Sequence, residues 1–297
     1  MFYKKQHLMG LGYYKKLKKR HILKRLVTER FSEPLHMNIV AFFVWIFGSY
    51  KAKIWFDLVL RQNHAYSLLQ AAEHAIANGI KKITVIEFGV ATGGGLMNIG
   101  KICQKLSKIY QVEFQVFGFD TGEGMPEPMD YRDHPELYKK GDFKMNRLLL
   151  ESRLPANCQL VIGKVKDTIP HFLQHTDLIN APIGFISFDL DYYYSTKEAL
   201  SILQHHPESY LSRFPVYFDD IALWSHNSWG GELLAIEEFN QTHPMRKIEQ
   251  NRFLFYNRIF KHAAWLEQIY FVHVLDAPVR NRIRVNEPAD VLVNPYL

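Results

Sequence analysis

The chain has 297 residues, 47% of them hydrophobic, enough to bury a sizeable core in one large α/β domain or two small ones. Its net charge of +6 is unevenly placed: ten Lys and Arg against the single acid Glu29 give residues 1–30 a charge of +9 and leave −3 on the rest, so a basic pI gives no reason to expect nucleic acid as a partner. Cys103 and Cys158 stand in no metal-ligand spacing, which implies a reducing compartment, two core residues and no disulfide.

Residues 1–60 read as a basic and apolar N-terminal extension. In "YYKKLKKRHILKRL" Leu17, Ile22, Leu23 and Leu26 sit among lysines and arginines, and the apolar run "IVAFFVWIF" follows at 39–47. That run is too short to span a bilayer and has no cleavage site, so the expected location is the cytoplasm. Two readings of residues 1–48 stand side by side: peripheral contact with an anionic membrane surface, and a solvated helix packed on the main domain.

Residues 61–297 read as one domain. "RQNHAYSLLQAAEHAIANG" puts Ala65, Leu68, Leu69, Ala72 and Ile76 on one helical stripe that stops at Gly79. Apolar runs then alternate with helical spacers: "KITVIEFG", a helix over 96–108, "EFQVFGFD" at 113–120, "CQLVIG" at 158–163, a helix from Asp167, "PIGFISFDLD" at 182–191, a helix from Ser195, "FPVYFDD" at 214–220, and a helix from about Gly231. A further strand, "LEQIYFVHVLD" at 266–276, expects a partner around 247–256. The pattern predicts a Rossmann-like, doubly wound α/β fold with a mostly parallel seven-stranded sheet and helices on both faces. Residues 121–146, rich in Gly, Pro and charge, form a long insertion expected to act as a lid.

In such sheets ligands lie outside the carboxyl ends of the strands. The first strand ends at Glu87 and the glycine cluster of "ITVIEFGVATGGG", which either lets backbone approach a nucleotide-like ligand or supplies a tight turn. The second ends at Asp120, suited to the two hydroxyls of a ribose; the fourth ends at Asp189 and Asp191, and the fifth at Asp219 and Asp220. These acids offer an oxygen-rich site for a hard cation such as Mg²⁺, with helix capping as the alternative. A nicotinamide enzyme would carry G-x-G-x-x-G for a pyrophosphate; E-x-G-x-x-x-G-G-G with nearby carboxylates suits a cationic ligand better.

The ordered set "VIEFGVATGGG", "VFGFDTGEGMPEP", "LVIGKVKDTIPHF", "ISFDLDYYYSTKEAL" and "YFDDI" resembles the class I S-adenosylmethionine-dependent methyltransferases, and within them the macrocin O-methyltransferase (TylF/MycF-like) group, over roughly residues 61–245. The resemblance implies metal-assisted methyl transfer to a hydroxyl of a sugar or glycosylated small molecule. It implies a cofactor site of Glu87, Gly89, Ala91, Thr92, Gly93, Gly94, Asp120, Thr121 and Asp189. It also implies Asp189, Asp219 and Asp220 as Mg²⁺ ligands and Asp191 as base, although either acid of the D-L-D pair could hold the metal. The chain departs from the pattern at Lys164, which follows Gly163 where many relatives carry an acid that recognises adenine. A second departure is the loop "IALWSHNSWGGE", expected to shape the acceptor pocket, with His226 as an alternative base. Besides an enzyme, a methyltransferase-fold binding protein without turnover and a nicotinamide-dependent oxidoreductase are the competing expectations.

Overall fold

The computed structural model describes residues 28–222 and 225–282. The apolar positions of the basic arm, Leu17, Ile22, Leu23 and Leu26, and Trp224 of the loop ahead of His226 lie outside the described residues. In chain order the helices are α1 (Leu35–Phe47), α2 (Tyr50–Trp55), α3 (Gln62–Ala77), α4 (Gly94–Tyr110), α5 (Arg147–Glu151), α6 (Val165–His175), α7 (Tyr193–Ala199), α8 (Gly231–Thr242) and α9 (Leu254–Asn257). The strands are β1 (Lys82–Phe88), β2 (Glu113–Asp120), β3 (Cys158–Ile162), β4 (Ile183–Phe188), β5 (Arg213–Phe218), β6 (Arg246–Gln250) and β7 (Ile269–Val274).

The apolar runs become strands because they are buried on both faces, as in β4, where all six residues are buried. Among the described residues they form one seven-stranded sheet in the order β3-β2-β1-β4-β5-β7-β6, with only β7 antiparallel to its neighbours. The winding reverses between β1 and β4, the switch point at which such sheets bind ligands. Helices α3 and α4 pack together, and α7 packs on both α6 and α8. Cys103 and Cys158 are free and buried.

Several elements differ from the sequence expectation: α4 runs over Gly94–Tyr110 and not 96–108, and β7 over Ile269–Val274 and not 266–276. Helices α6 and α7 each start two residues early, at Val165 and Tyr193. Strand β6 stops at Gln250, because Leu254–Asn257 turns into a short helix rather than extending the pairing. Ile76, placed on the core stripe of α3, is 44% exposed in the helix's last turn, while Ala65, Leu68, Leu69 and Ala72 are fully buried.

One aromatic ring from each of five strands forms a row across the sheet. Phe119, Phe88, Phe188, Phe218 and Tyr270 follow each other at centroid separations of 4.9, 5.4, 4.8 and 5.4 Å. In the four parallel strands the phenylalanines are fully buried and the next residue is Asp120, Gly89, Asp189 or Asp219. Backbone bonds continue one step beyond the rings, from Gly89 N to Phe119 O, Asp189 N to Phe88 O and Asp219 N to Phe188 O. The row therefore holds the ends of neighbouring strands at one level.

Residues 28–60 are seated against 254–268. The guanidinium of Arg258, fully buried, donates to the carbonyls of Ile54 and Trp55 and, at 2.6 Å, to Asp57, and lies over the rings of Trp55, Tyr66 and Trp265. Burial pushes the Asp57 carboxyl up to about 6, with Arg258 and Arg30 opposing. Glu33 accepts from the backbone N–H groups of Lys261 and His262.

Removing one ring from the row leaves a cavity at its centre. Phe188→Ala is expected to destabilise the protein by about 3–5 kcal/mol, read as a lower urea midpoint at unchanged m-value; a shift below about 1 kcal/mol would mean that the row is not a structural support.

Candidate active site

At the end of β1 the chain enters a turn with two left-handed glycines, Gly89 (φ +84°) and Gly93 (φ +82°), and the left-handed Ala91 (φ +48°). A Cβ at Gly89 would collide with the carbonyl oxygen of Asp189, so both angle and contact require glycine there, and a Cβ at Gly95 would collide with the carboxyl of Glu87. The turn is tied to β2 through Asp120, which accepts from Val90 N at 2.9 Å, Ala91 N at 2.8 Å and Gly122 N at 2.6 Å. Thr121 caps its own turn by accepting from Glu123 N, Thr92 and Gly94 are exposed, and Arg61 lies beside Gly94. Lys164 is exposed one residue before α6.

Glu87 is fully buried beneath this turn. Its carboxyl receives the Leu96 backbone N–H at the start of α4, where an anion is favoured, yet burial outweighs that and Arg61, and its pKa is pushed up to about 8. Its Oε2 has no hydrogen-bond partner.

Across the switch point, ligand-type oxygens of Asp189, Asp191 and Asp220 lie within 4.8 Å of one another. Asp191 has a left-handed backbone (φ +59°), and its N–H donates to Asp220 at 3.1 Å. Neither acid pair caps the following helix: the residues preceding α7 and α8 are Tyr192 and Gly230, and neither helix has a side-chain cap. Burial first, then neighbouring acids, hold Asp189 and Asp220 well above the carboxylate range, and burial pushes Asp191 up to about 6. Asp219 is not one of this trio, although its charge acts on both Asp189 and Asp191; its carboxylate accepts from the hydroxyl of Tyr217.

The insertion 121–146 reaches the trio. Tyr138 donates to Asp220 at 3.3 Å, and burial, then the charge of Asp220, raise its pKa. The insertion is tied down by Asp133, which accepts from Met129 N and Tyr194 N. His134 from the same segment lies 5.8 Å from His226, ring to ring. Both ring nitrogens of His226 are buried without a partner, and burial, then His134, lower its pKa, so the imidazole is neutral at pH 7. Trp229 of that loop is 74% exposed.

Glu232, Tyr138 and His134 were not singled out from sequence. Glu232 is fully buried and accepts the Asp220 N–H at 3.1 Å, while its other oxygen has no partner. Its signal was an acid immediately after Gly230-Gly231 at a helix start, downstream of the Asp-Asp strand end. Tyr138 and His134 carry no such signal, because they arrive from a loop.

A cleft of about 1010 Å³ runs from Asp219, Arg61 and Asn63 outward between residues 29–62 and 260–268, with Phe42, Trp45 and Trp265 in its wall.

No protein-family model matches the chain, and no curated protein matches it. Solved structures that resemble it include the calicheamicin methyltransferase CalS11 (20% identity, 69% of this chain and 83% of that one, TM-score 0.46). Others are an O-methyltransferase from Bacillus cereus in complex with SAH (11%, 72% and 80%, TM-score 0.36) and MycE of the mycinamycin pathway with Mg and SAH (10%, 73% and 52%, TM-score 0.34). Identities of 20% and below with TM-scores under 0.5 leave this chain's function to be read from its own residues.

The buried acids set a pH dependence. Glu87 keeps its proton in the folded state from its ordinary 4.5 up to about 8, where the unfolded chain has lost it, so its contribution to stability is full below 4.5 and is lost as pH rises through that window. Glu87→Gln, which cannot ionise, is expected to flatten the fall in stability between those pH values by up to about 1.4 kcal/mol per pH unit. Urea titrations of both proteins across the window measure this, and parallel curves would rule it out.

Proposed function

We propose that the chain is an S-adenosylmethionine-dependent O-methyltransferase acting on a hydroxyl of a sugar or glycosylated small molecule. The observation that carries the reading is the unit formed by the left-handed turn 89–95 and Asp120, which lies beside the strand-end acids at the switch point. A carboxylate offers about four lone-pair positions; Val90 N and Ala91 N of the turn and Gly122 N after β2 occupy three, so a ribose hydroxyl can join a carboxylate that is already oriented. The glycines open the backbone to the methionine end, and a carboxyl-lined site suits a sulfonium and opposes a pyrophosphate.

In the reaction the acceptor oxygen attacks the methyl carbon, the C–S bond breaks with its electron pair going to sulfur, and the hydroxyl proton passes to a base. Holding the three reacting atoms in line is the site's main task. The cleft that ends at Asp219 is the acceptor's place, with Trp45 and Trp265 offering ring faces to a sugar and Arg61 and Asn63 offering polar partners.

Asp189, Asp191 and Asp220 fit a hard divalent cation, supported by their three converging oxygens and the unpartnered oxygen of buried Glu232 nearby. Such an ion, when bound, makes an acceptor hydroxyl more acidic. With Asp191 in that set, His226 becomes the base: it is neutral at pH 7, unpartnered, and close enough to Asp219 to feel its charge. With Asp219 in the set instead, Asp191 is the base.

Two measurements test this reading. In calorimetry the protein is expected to bind S-adenosylmethionine and not NAD, with Asp120→Ala weakening binding by about 1.5–3 kcal/mol; tight binding of NAD alone would overturn the assignment. With an acceptor in hand, EDTA or Asp220→Asn should abolish turnover while cofactor affinity stays within about twofold. His226→Asn should then lower kcat at unchanged metal content; loss of metal on Asp219→Asn but not on Asp191→Asn would reverse the two roles. Cofactor binding with no turnover of any sugar hydroxyl would favour a binding protein.

A further inference from the structure

Helix α1 has the sequence LHMNIVAFFVWIF, with no Asp, Glu, Lys or Arg in 13 residues. It is held to the body along a narrow stripe: Ala41 is buried, and Asn38 donates to the Arg30 carbonyl at 2.8 Å. Phe42 and Trp45 border the cleft, and the surface the helix turns outward is apolar apart from His36. Phe43 is 55% exposed, Trp45 58% and Phe47 80%, and Leu35, Ile39, Val40, Phe42 and Ile46 are exposed as well. A helix on a protein surface ordinarily turns polar side chains outward, and a contiguous apolar patch of this kind marks a contact.

Its length selects the kind of contact. Thirteen residues at about 1.5 Å each span about 20 Å, short of the roughly 30 Å hydrocarbon core. Among the described residues no helix is long and apolar enough to cross a membrane. The charge beside it selects the partner. Residues 1–27, separated from the helix by 28–34, contain nine Lys and Arg and no Asp or Glu. A second copy of the chain would bring an identical cationic segment against the first, which like-charge repulsion opposes.

We infer that α1, together with the cationic residues 1–27, docks the protein on an anionic membrane surface. The apolar helix lies in the interface and the cationic segment meets the lipid headgroups, the pair of signals that stable peripheral binding needs. The inference does not depend on methyl transfer: it rests on exposed Phe43 and Phe47 and on the cationic segment, whereas Phe42 and Trp45 of the same helix border the cleft.

Co-sedimentation of the full chain with phosphatidylcholine vesicles, with and without phosphatidylserine, is the test. Binding is expected only with phosphatidylserine and is expected to weaken as salt rises. The double variant Phe43→Asp, Phe47→Asp should reduce the vesicle partition coefficient by about tenfold or more, as should Lys15→Gln, Lys16→Gln, Lys18→Gln and Lys19→Gln made together. Both sites of the double variant are exposed, so its urea midpoint should be unchanged, and a folded variant that partitions like the wild type overturns the docking role of α1. Absence of sedimentation with phosphatidylserine vesicles overturns the proposal. So does a dimer in analytical ultracentrifugation that Phe43→Asp, Phe47→Asp disperses, which would assign the helix to a second copy.

Discussion

The row of rings Phe119, Phe88, Phe188, Phe218 and Tyr270 runs across five strands, and the ends of the four parallel strands among them are placed by it. Aromatic rings at these separations gain packing energy only at one relative height, so slipping one strand breaks contacts on both sides. The residue after each phenylalanine is then delivered to the same level: Asp120, Gly89, Asp189 and Asp219. The strand-end acids of the candidate site start from that line.

Levelling the strand ends brings like charges together. Asp189, Asp191, Asp220 and Glu232 all have their acidity weakened, with burial as the first cause in each case. Such groups are tolerable with a proton or a cation among them and costly as bare anions. Asp120 serves the turn, accepting from Val90 N and Ala91 N as well as from Gly122 N. One strand end thus holds a turn in shape while its neighbours hold a cluster whose charge state remains adjustable.

The strands and the strand-end acids were legible because uninterrupted apolar runs and their terminal Asp and Glu residues are local features. The repeated Phe-then-acid pattern was legible too, in "GFD", "SFD" and "YFD", although its meaning lies in the rings. The separation of Asp219 from Asp220 follows from strand alternation: Asp219 shares a side with Tyr217 two residues earlier, and its carboxylate meets that hydroxyl. The roles of Tyr138, His134 and the left-handed Asp191 were not legible, since a loop's path across the sheet end depends on anchors such as Asp133 that no spacing rule predicts. Helix α1 was visible as an apolar run, but its exposure depended on how little of it the body covers.

Arg258 follows Asp57 by 201 residues. A ribosome releases the chain in order, so α2 leaves the exit tunnel long before the arginine that seats it exists. Until then Ile54, buried completely in the finished protein, has only a partial covering. The pairing that joins the two ends of the described chain thus belongs to the closing stage of synthesis, and a nascent chain stalled before residue 258 contains six of the sheet's seven strands without the fastening of its opening helices.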